Sequence, residues 1–178
     1  MSLYQPINID TFKVFSAENT DSAGYKFKGK RIDTTLLYLL PKGILWDDTE
    51  CFAVYKFTID KNNIGLITRT PGQYSTSSIK LLVYDKRKDT INDFFELAEK
   101  WGDAGDVLEK VAWIYKADNH KFNYLIWEEF SHYNSIDNDK DTSVNRDDTY
   151  SLLEISNAKH DTLNKKAEAL FKKFKGKK

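Results

Sequence analysis

Cysteine appears once in the 178 residues, at Cys51, so no internal disulfide can form, and no Cys/His spacing of the zinc-binding kind exists. Neither sign of charge is in excess: 27 Lys and Arg stand against 27 Asp and Glu, with a pI near 6.8. That balance argues against a dedicated nucleic-acid binder, which carries a basic surplus. No apolar run approaches the roughly 18 residues of a membrane-spanning helix, so the chain reads as soluble, without a transmembrane segment. A phosphate-cradling glycine loop, a Gly-x-Ser-x-Gly elbow and a His-Glu-x-x-His pair are all missing. Proline and glycine are sparse, at 3 and 8 residues.

What is plentiful is aromatic surface. Trp, Tyr and Phe supply 14% of the chain. Such rings cover neighbouring rows of a pleated sheet, so their abundance points to a β-rich core before it points to a ligand platform. The length suits one domain over 1–178.

The opening residues show no charged-then-apolar leader. The abrupt start Met1-Ser2-Leu3 before Tyr4-Gln5-Pro6 would fit removal of a native leader. One cysteine fits a bacterial exported protein without disulfides, at the periplasm or cell surface, with the cytoplasm as the alternative.

Along the chain, 10–29 reads as irregular or as short edge strands, and the apolar run 34–40 as a buried strand stopped by Pro41, with a helical turn as the alternative. In 51–59, Cys51, Ala53, Tyr55, Phe57 and Ile59 alternate onto one face. Residues 60–63 supply a turn, and strands at 64–70 and 79–85 follow. Phe94, Leu97, Ala98 and Trp101 stand at i, i+3, i+4, i+7, which predicts a short central helix over 93–101; a fourth strand is the rival. A helical turn near 106–110 would lead into a strand at 111–117. Residues 101–105 read as a tight turn.

Several pairs recur in order: Tyr55-Lys56 and Tyr115-Lys116, Leu66-Ile67 and Leu125-Ile126, Tyr74 and Tyr133, Leu81-Leu82 and Leu152-Leu153, then 89–92 and 161–164. The expected fold is therefore α+β, predominantly antiparallel β. It comprises two related β-meanders, 51–92 and 111–164, each resembling a propeller blade, with the central helix and an amphipathic C-terminal helix. In that last helix Ala167, Leu170, Phe171 and Phe174 form one stripe and lysines the rest. Residues 165–178 are thus a candidate contact for an anionic membrane surface or a partner groove, against simple docking on the sheets.

Three residue sets are candidates for function. Asp137, Asp139, Asp141, Asn145 and Asp148 place oxygen donors at positions 1, 3, 5, 9 and 12 of a long loop at 134–148, the pattern of a Ca2+ loop. Thr142 stands where that pattern wants glycine, and Asp148 where it wants glutamate. Glu128 and His132 share a face of the strand 123–133, and a carboxylate beside a histidine suits general acid–base work. Arg69 is the expected structural partner of Glu128. Tyr74, Trp127 and Tyr133 are candidate ligand-contacting rings. Cys51 reads as an inert core thiol, and His120 and His160 as scattered histidines without a cluster.

With no assembled nucleophile or cofactor motif, a non-enzymatic binding module for a protein or carbohydrate is the leading expectation. An acid–base or metal-assisted hydrolase using Glu128 and His132 is one rival. A calcium-stabilised carbohydrate-binding domain is the other.

Overall fold

The computed structural model describes residues 1–17, 19–45, 50–72, 74, 77–118, 121–136, 138, 140–156, 159–162 and 167–176. Short strands β1 (Gln5–Pro6), β2 (Thr11–Val14) and β3 (Lys30–Arg31) come first. Then β4 (Phe52–Thr58), β5 (Asn63–Thr70), β6 (Ser78–Asp85), β7 (Thr90–Asp103), β8 (Asp106–Lys116), β9 (Phe122–Tyr133), β10 (Val144–Ser156) and β11 (Lys159–Thr162) follow one another as antiparallel neighbours. A nine-residue helix, α1 (Ala167–Lys175), follows β11.

The turns carry their own chemistry. After β4, Asp60 Oδ1 accepts from the backbone N–H of Asn62 and Asn63 at 2.7 and 2.9 Å, an Asx turn that reverses the chain. Between β7 and β8, Ala104 and Gly105 both take positive φ, +47° and +89°. That is the two-residue turn whose twist suits a hairpin; the expected tight turn is confined to 104–105, because Trp101 to Asp103 belong to β7.

The sheet is folded over itself, and β7 is where it folds. Its first part pairs with β6 and its last part with β8, so Glu99 lies opposite both Ser78 and Lys110. Strands β4–β6 with the start of β7 form one layer; the end of β7 with β8–β11 forms the other. Both contribute to one inner core: Val54, Phe57, Ile67, Leu81 and Val83 from the first, Ala112, Ile114, Phe122, Tyr124 and Ile155 from the second. Ring contacts cross between them, Phe57 to Phe122 at 5.1 Å and Phe95 to Tyr124 at 5.8 Å. The N-terminal segment joins the layers along one side. β1 runs parallel to β4, while β2 pairs with the part of β8 that β7 has left.

Each layer also hides an outer face. Ala53, Leu66 and Leu82 lie under Tyr4, Ile32 and Ile44. Val111, Trp113, Leu125 and Leu152 lie under Phe171 and Phe174 of α1. The strand at β9 is thus covered on both faces, as its two-sided apolar pattern implies.

Several expectations give way. The central helix over 93–101 is strand, as is the helical turn near 106–110. The helical spacing arises because β7 carries a bulge opposite Ile79 and Lys80. Leu97 and Ala98 both reach the inner core, while Phe94 packs on the outer face. The run 34–40 is a 3-10 turn, Thr34–Leu39, with Leu36, Tyr38 and Leu39 exposed, not a buried strand. Asp33 caps it by accepting from Thr35 N–H at 2.9 Å. In β4 the expected single face splits at a register shift between Ala53 and Tyr55. Cys51 and Ala53 turn to the outer core, Val54 and Phe57 to the inner.

Three of the five recurring sets fall on strands of equal rank, β4 with β8, β5 with β9, β6 with β10, whereas Tyr74 lies in a connection and Tyr133 in β9. Their registers differ: Tyr55 faces Ile67, but Tyr115 faces Asn123.

Candidate functional site

Along β8 and β9 the inner face runs out from under the first layer. Ala112 and Tyr124 are fully buried, but burial falls away toward the β7–β8 turn, and Phe130 is 38% exposed. Because side chains alternate, residues in register on β7, β8, β9 and β10 form rows on that face. The first row past the core is Glu99, Lys110, Glu128 and Thr149. The second is Trp101, Leu108, Phe130 and Asp147. The third, at the tip, is Asp103, Asp106, His132 and Asn145. From the connection between β5 and β6, Tyr74 leans its ring against Trp101 at 5.0 Å while staying 55% exposed.

The first row anchors a chain of alternating charges. Lys110 Nζ lies 2.9 Å from Glu128 Oε2 and 3.1 Å from Glu96 Oε2. Glu96 Oε1 accepts from Ser78 Oγ at 2.7 Å and lies 3.8 Å from Lys80 Nζ. Lys80 donates to Thr70 Oγ1 and Ser78 Oγ at 2.5 and 2.8 Å. Burial works against the Lys110 ammonium, yet Glu96 and Glu128 hold its pKa above the usual lysine value. Burial likewise pushes the Glu96 carboxyl up, but Lys110, Ser78 and Lys80 outweigh it and hold the carboxyl below its ordinary range. Lys80 is only 4% exposed, and burial pulls its pKa down despite Glu96 and Glu99. The chain ties β5, β6, β7, β8 and β9 together where the two layers diverge.

The predicted site residues scatter. Glu128 and His132 do share the inner face, but each is held by a different neighbour, with the Phe130 row between them. Glu128 pairs with Lys110, not with Arg69, which donates to the Lys28 carbonyl and lies over the Phe52 ring at 3.7 Å. His132 Nδ1 meets Asp106 Oδ1 at 2.6 Å. The two do not converge on one point. Trp127 lies on the opposite face, stacked on Phe171 at 5.2 Å, with Lys175 over its ring and its Nε1 donating to Asp148 at 2.7 Å. Tyr133 is exposed on that opposite face too, so Tyr74 alone of the three rings reaches the inner side.

Asp137 and Asp139 lie outside the described residues. The expected loop over 134–148 is shorter, because β10 already begins at Val144. Asn145 and Asp148 therefore sit in a strand, three positions apart, and project from opposite faces. Asp141 accepts from the N–H and Oγ of Ser143. Among the described residues no group of three or more His, Cys, Asp or Glu is placed to hold a metal ion. No helix there is long and apolar enough to cross a membrane. In α1 the apolar face is buried on the sheet, leaving Lys172 and Lys173 outward.

A cavity of about 650 Å³ opens at the far end of the inner core, between Ile9, Phe57 and Phe122, with Lys56 and Lys116 in its walls. None of the predicted site residues lines it. Sequence reasoning missed Lys110, Glu96 and the Trp101–Phe130 row, because strand pairing brings them together across the chain. Only the strict alternation of Glu128, Phe130 and His132 hinted at the row. Compared with protein-family models, curated proteins and solved structures, the chain finds no match.

Proposed function

We propose that the chain is a non-enzymatic binding module whose working surface is the inner face of the β7–β10 extension. The observation that carries this reading is the apolar row Trp101–Leu108–Phe130, topped by Tyr74. It lies past the edge of the core, half-buried to exposed, instead of being covered by the opposing layer. Large rings left at a solvent boundary between charged rows are what recognition surfaces use, since they bury much area at little rotamer cost. The charge chain through Lys110 stiffens the floor, which favours binding by limiting what must be ordered. The acid–base alternative lacks convergence, because the carboxylate and imidazole it needs each have a separate partner.

The two-meander organisation belongs to the same reading. β4–β7 and β8–β11 each run as four antiparallel strands, and the proposed surface lies where the first unit hands over to the second. The test is a titration of isotope-labelled protein, followed by NMR, with neutral hexasaccharides of glucose and of N-acetylglucosamine and with hexapeptides of lysine and of glutamate. Shifts in the Trp101 indole N–H and the Leu108 and Phe130 amides are expected for at least one probe. Shifts confined to the far-end cavity, or none with any probe, overturn the proposal.

A further inference from the structure

We infer that the ligand of this face is a cationic segment of a partner protein, bound by a lysine or arginine whose stem lies over Leu108 and whose charge meets the carboxylates beyond it. This rests on the binding-face reading and adds the chemistry of the occupant.

The argument begins with the row itself. Leu108 is the floor, and Trp101 and Phe130 stand on the strands to either side of it. Two strand spacings separate those strands, about 9.6 Å. After the thickness of the rings this leaves a slot suited to an unbranched chain. The slot runs along β8, and its two ends differ. Toward the core it is closed by Lys110, which Glu96 and Glu128 fix in place. Toward the tip lie Asp103 and Asp106, which flank the two-residue turn.

Rows on one face repeat at about 6.8 Å along a strand; a lysine side chain covers about 5 Å of that from its first methylene to its ammonium, and a charge-assisted hydrogen bond of about 2.8 Å covers the rest. A stem over Leu108 thus carries its charge to the Asp103–Asp106 row. The reversed orientation would bring like charge against Lys110.

The charge balance of the face decides the sign of the ligand. Asp103 and Asp147 are exposed, and neither enters a salt bridge among the described residues. Among the described residues, the side-chain partner of Asp106 is His132. Glu96 and Glu128 are already answered by lysine, so the unanswered charge sits around the aromatic row and beyond it. A neutral glycan would stack on the rings but leave those carboxylates unmet, and an anionic ligand would be repelled. A cation on an apolar stem satisfies both, through ring faces that attract positive charge and through the aspartates.

The experiment compares acetylated, amidated hexalysine, hexaarginine and hexaglutamate with neutral N-acetylglucosamine hexasaccharide, on the full chain and three variants. D103N/D147N removes two charges from the inner face. E109Q/E129Q removes two from the opposite face of the same strands. W101A removes a wall of the slot. Urea unfolding of each variant confirms that it is folded before binding is measured.

The expected result is that hexalysine and hexaarginine shift the Trp101 indole resonance while hexaglutamate does not. D103N/D147N should weaken binding about tenfold, E109Q/E129Q less than about twofold, and W101A about fivefold, the scale of one cation–ring contact. Equal weakening by the two charge variants, or no loss in W101A, would mean unspecific attraction and overturn the inference. If the hexasaccharide alone moves Trp101, the cationic ligand is refuted while the binding face stands. If no probe moves the row, both fall.

Discussion

Replacing Lys110 by methionine tests the charge chain that supports the proposed surface. Methionine keeps most of the stem and removes the charge, so packing along β8 changes little. Both carboxylates lie within about 3 Å of Nζ, so they stand no more than about 6 Å apart and repel by about 3 kcal/mol at an effective dielectric of 20. Glu96 and Glu128 are 31% and 32% exposed, against 16% for Lys110. Water therefore relieves part of the cost that a fully buried broken pair would carry, and the expected loss is about 2 kcal/mol. With a urea slope of about 2 kcal/mol/M, the unfolding midpoint should fall by about 1 M.

The pH dependence gives the sharper check. In the native chain the Glu96 carboxyl is depressed, despite burial, by Lys110, Ser78 and Lys80. Its stabilisation is complete above the ordinary glutamate value and is lost as pH falls through the depressed folded one. In K110M that depression largely disappears, and protonation removes the carboxylate repulsion. The gap between the two proteins should thus shrink from about 2 kcal/mol at pH 7 to under about 1 kcal/mol near pH 4. Adding E128Q to K110M should recover about half the loss at pH 7. A gap that stays constant with pH, or a midpoint unchanged within about 0.2 M, would refute the reasoning.

Three further outcomes follow from packing. F171A removes the ring that meets Trp113, Trp127 and Tyr150 at 5.2–5.6 Å; unfolding stability should drop by about 3 kcal/mol, with tryptophan emission shifted to the red. An unchanged spectrum would mean α1 does not cover those rings in solution. G65A places a Cβ 2.5 Å from the Phe57 ring, which is buried against Phe122, so a loss of about 1–3 kcal/mol is expected in thermal unfolding; a neutral substitution would disprove that contact. Burial pushes the Cys51 thiol up to about 12, so a disulfide reagent at pH 8 should label it only at the rate of unfolding. Rapid labelling of the folded protein would place Cys51 outside the core.

The strands were legible where both alternation and turn chemistry agree. Residues 51–70 announced a hairpin because Asp60 and Asn63 close it and apolar residues alternate on either side. What one sequence hides is register. The run 93–101 carries Phe94, Leu97, Ala98 and Trp101 at helical spacing, yet a single bulge lets an extended chain satisfy the same list. Thr34–Leu39 looked apolar enough for a buried strand, but it is a 3-10 turn in which Leu37 and its neighbour Leu40 pack on the outer core while Leu36, Tyr38 and Leu39 stay exposed. The binding rows depended on the same missing information. Trp101, Leu108 and Phe130 are seven and twenty-two residues apart and become neighbours only through two registers. Asp137 to Asp148 erred the other way: the regular spacing was visible, but β10 begins at Val144 and turns the last two donors to opposite sides.

One strand underlies both the stability argument and the functional one. A strand confined to one layer would end with its sheet, and the inner face would be apolar wherever it was covered. β7 leaves β6 at Glu99 and continues with β8 for four more residues, carrying the sheet past the edge of the opposing layer. At the departure point neither a dry core nor open water prevails, and the chain places lysines and glutamates in alternation there, satisfied by one another and by Ser78 and Thr70. Past that point the face meets solvent, and Trp101 and Phe130 there gain only part of the stabilisation that full burial would give. Rings maintained at that boundary, on a floor locked by ion pairs, fit a surface kept for contact with another molecule. Shortening β7 and β8 by one residue pair at the turn tests the coupling: it removes Asp103 and Asp106 and should weaken cation binding about tenfold while the urea midpoint stays within about 0.5 M. A collapse in stability would show that the extension belongs to the core instead.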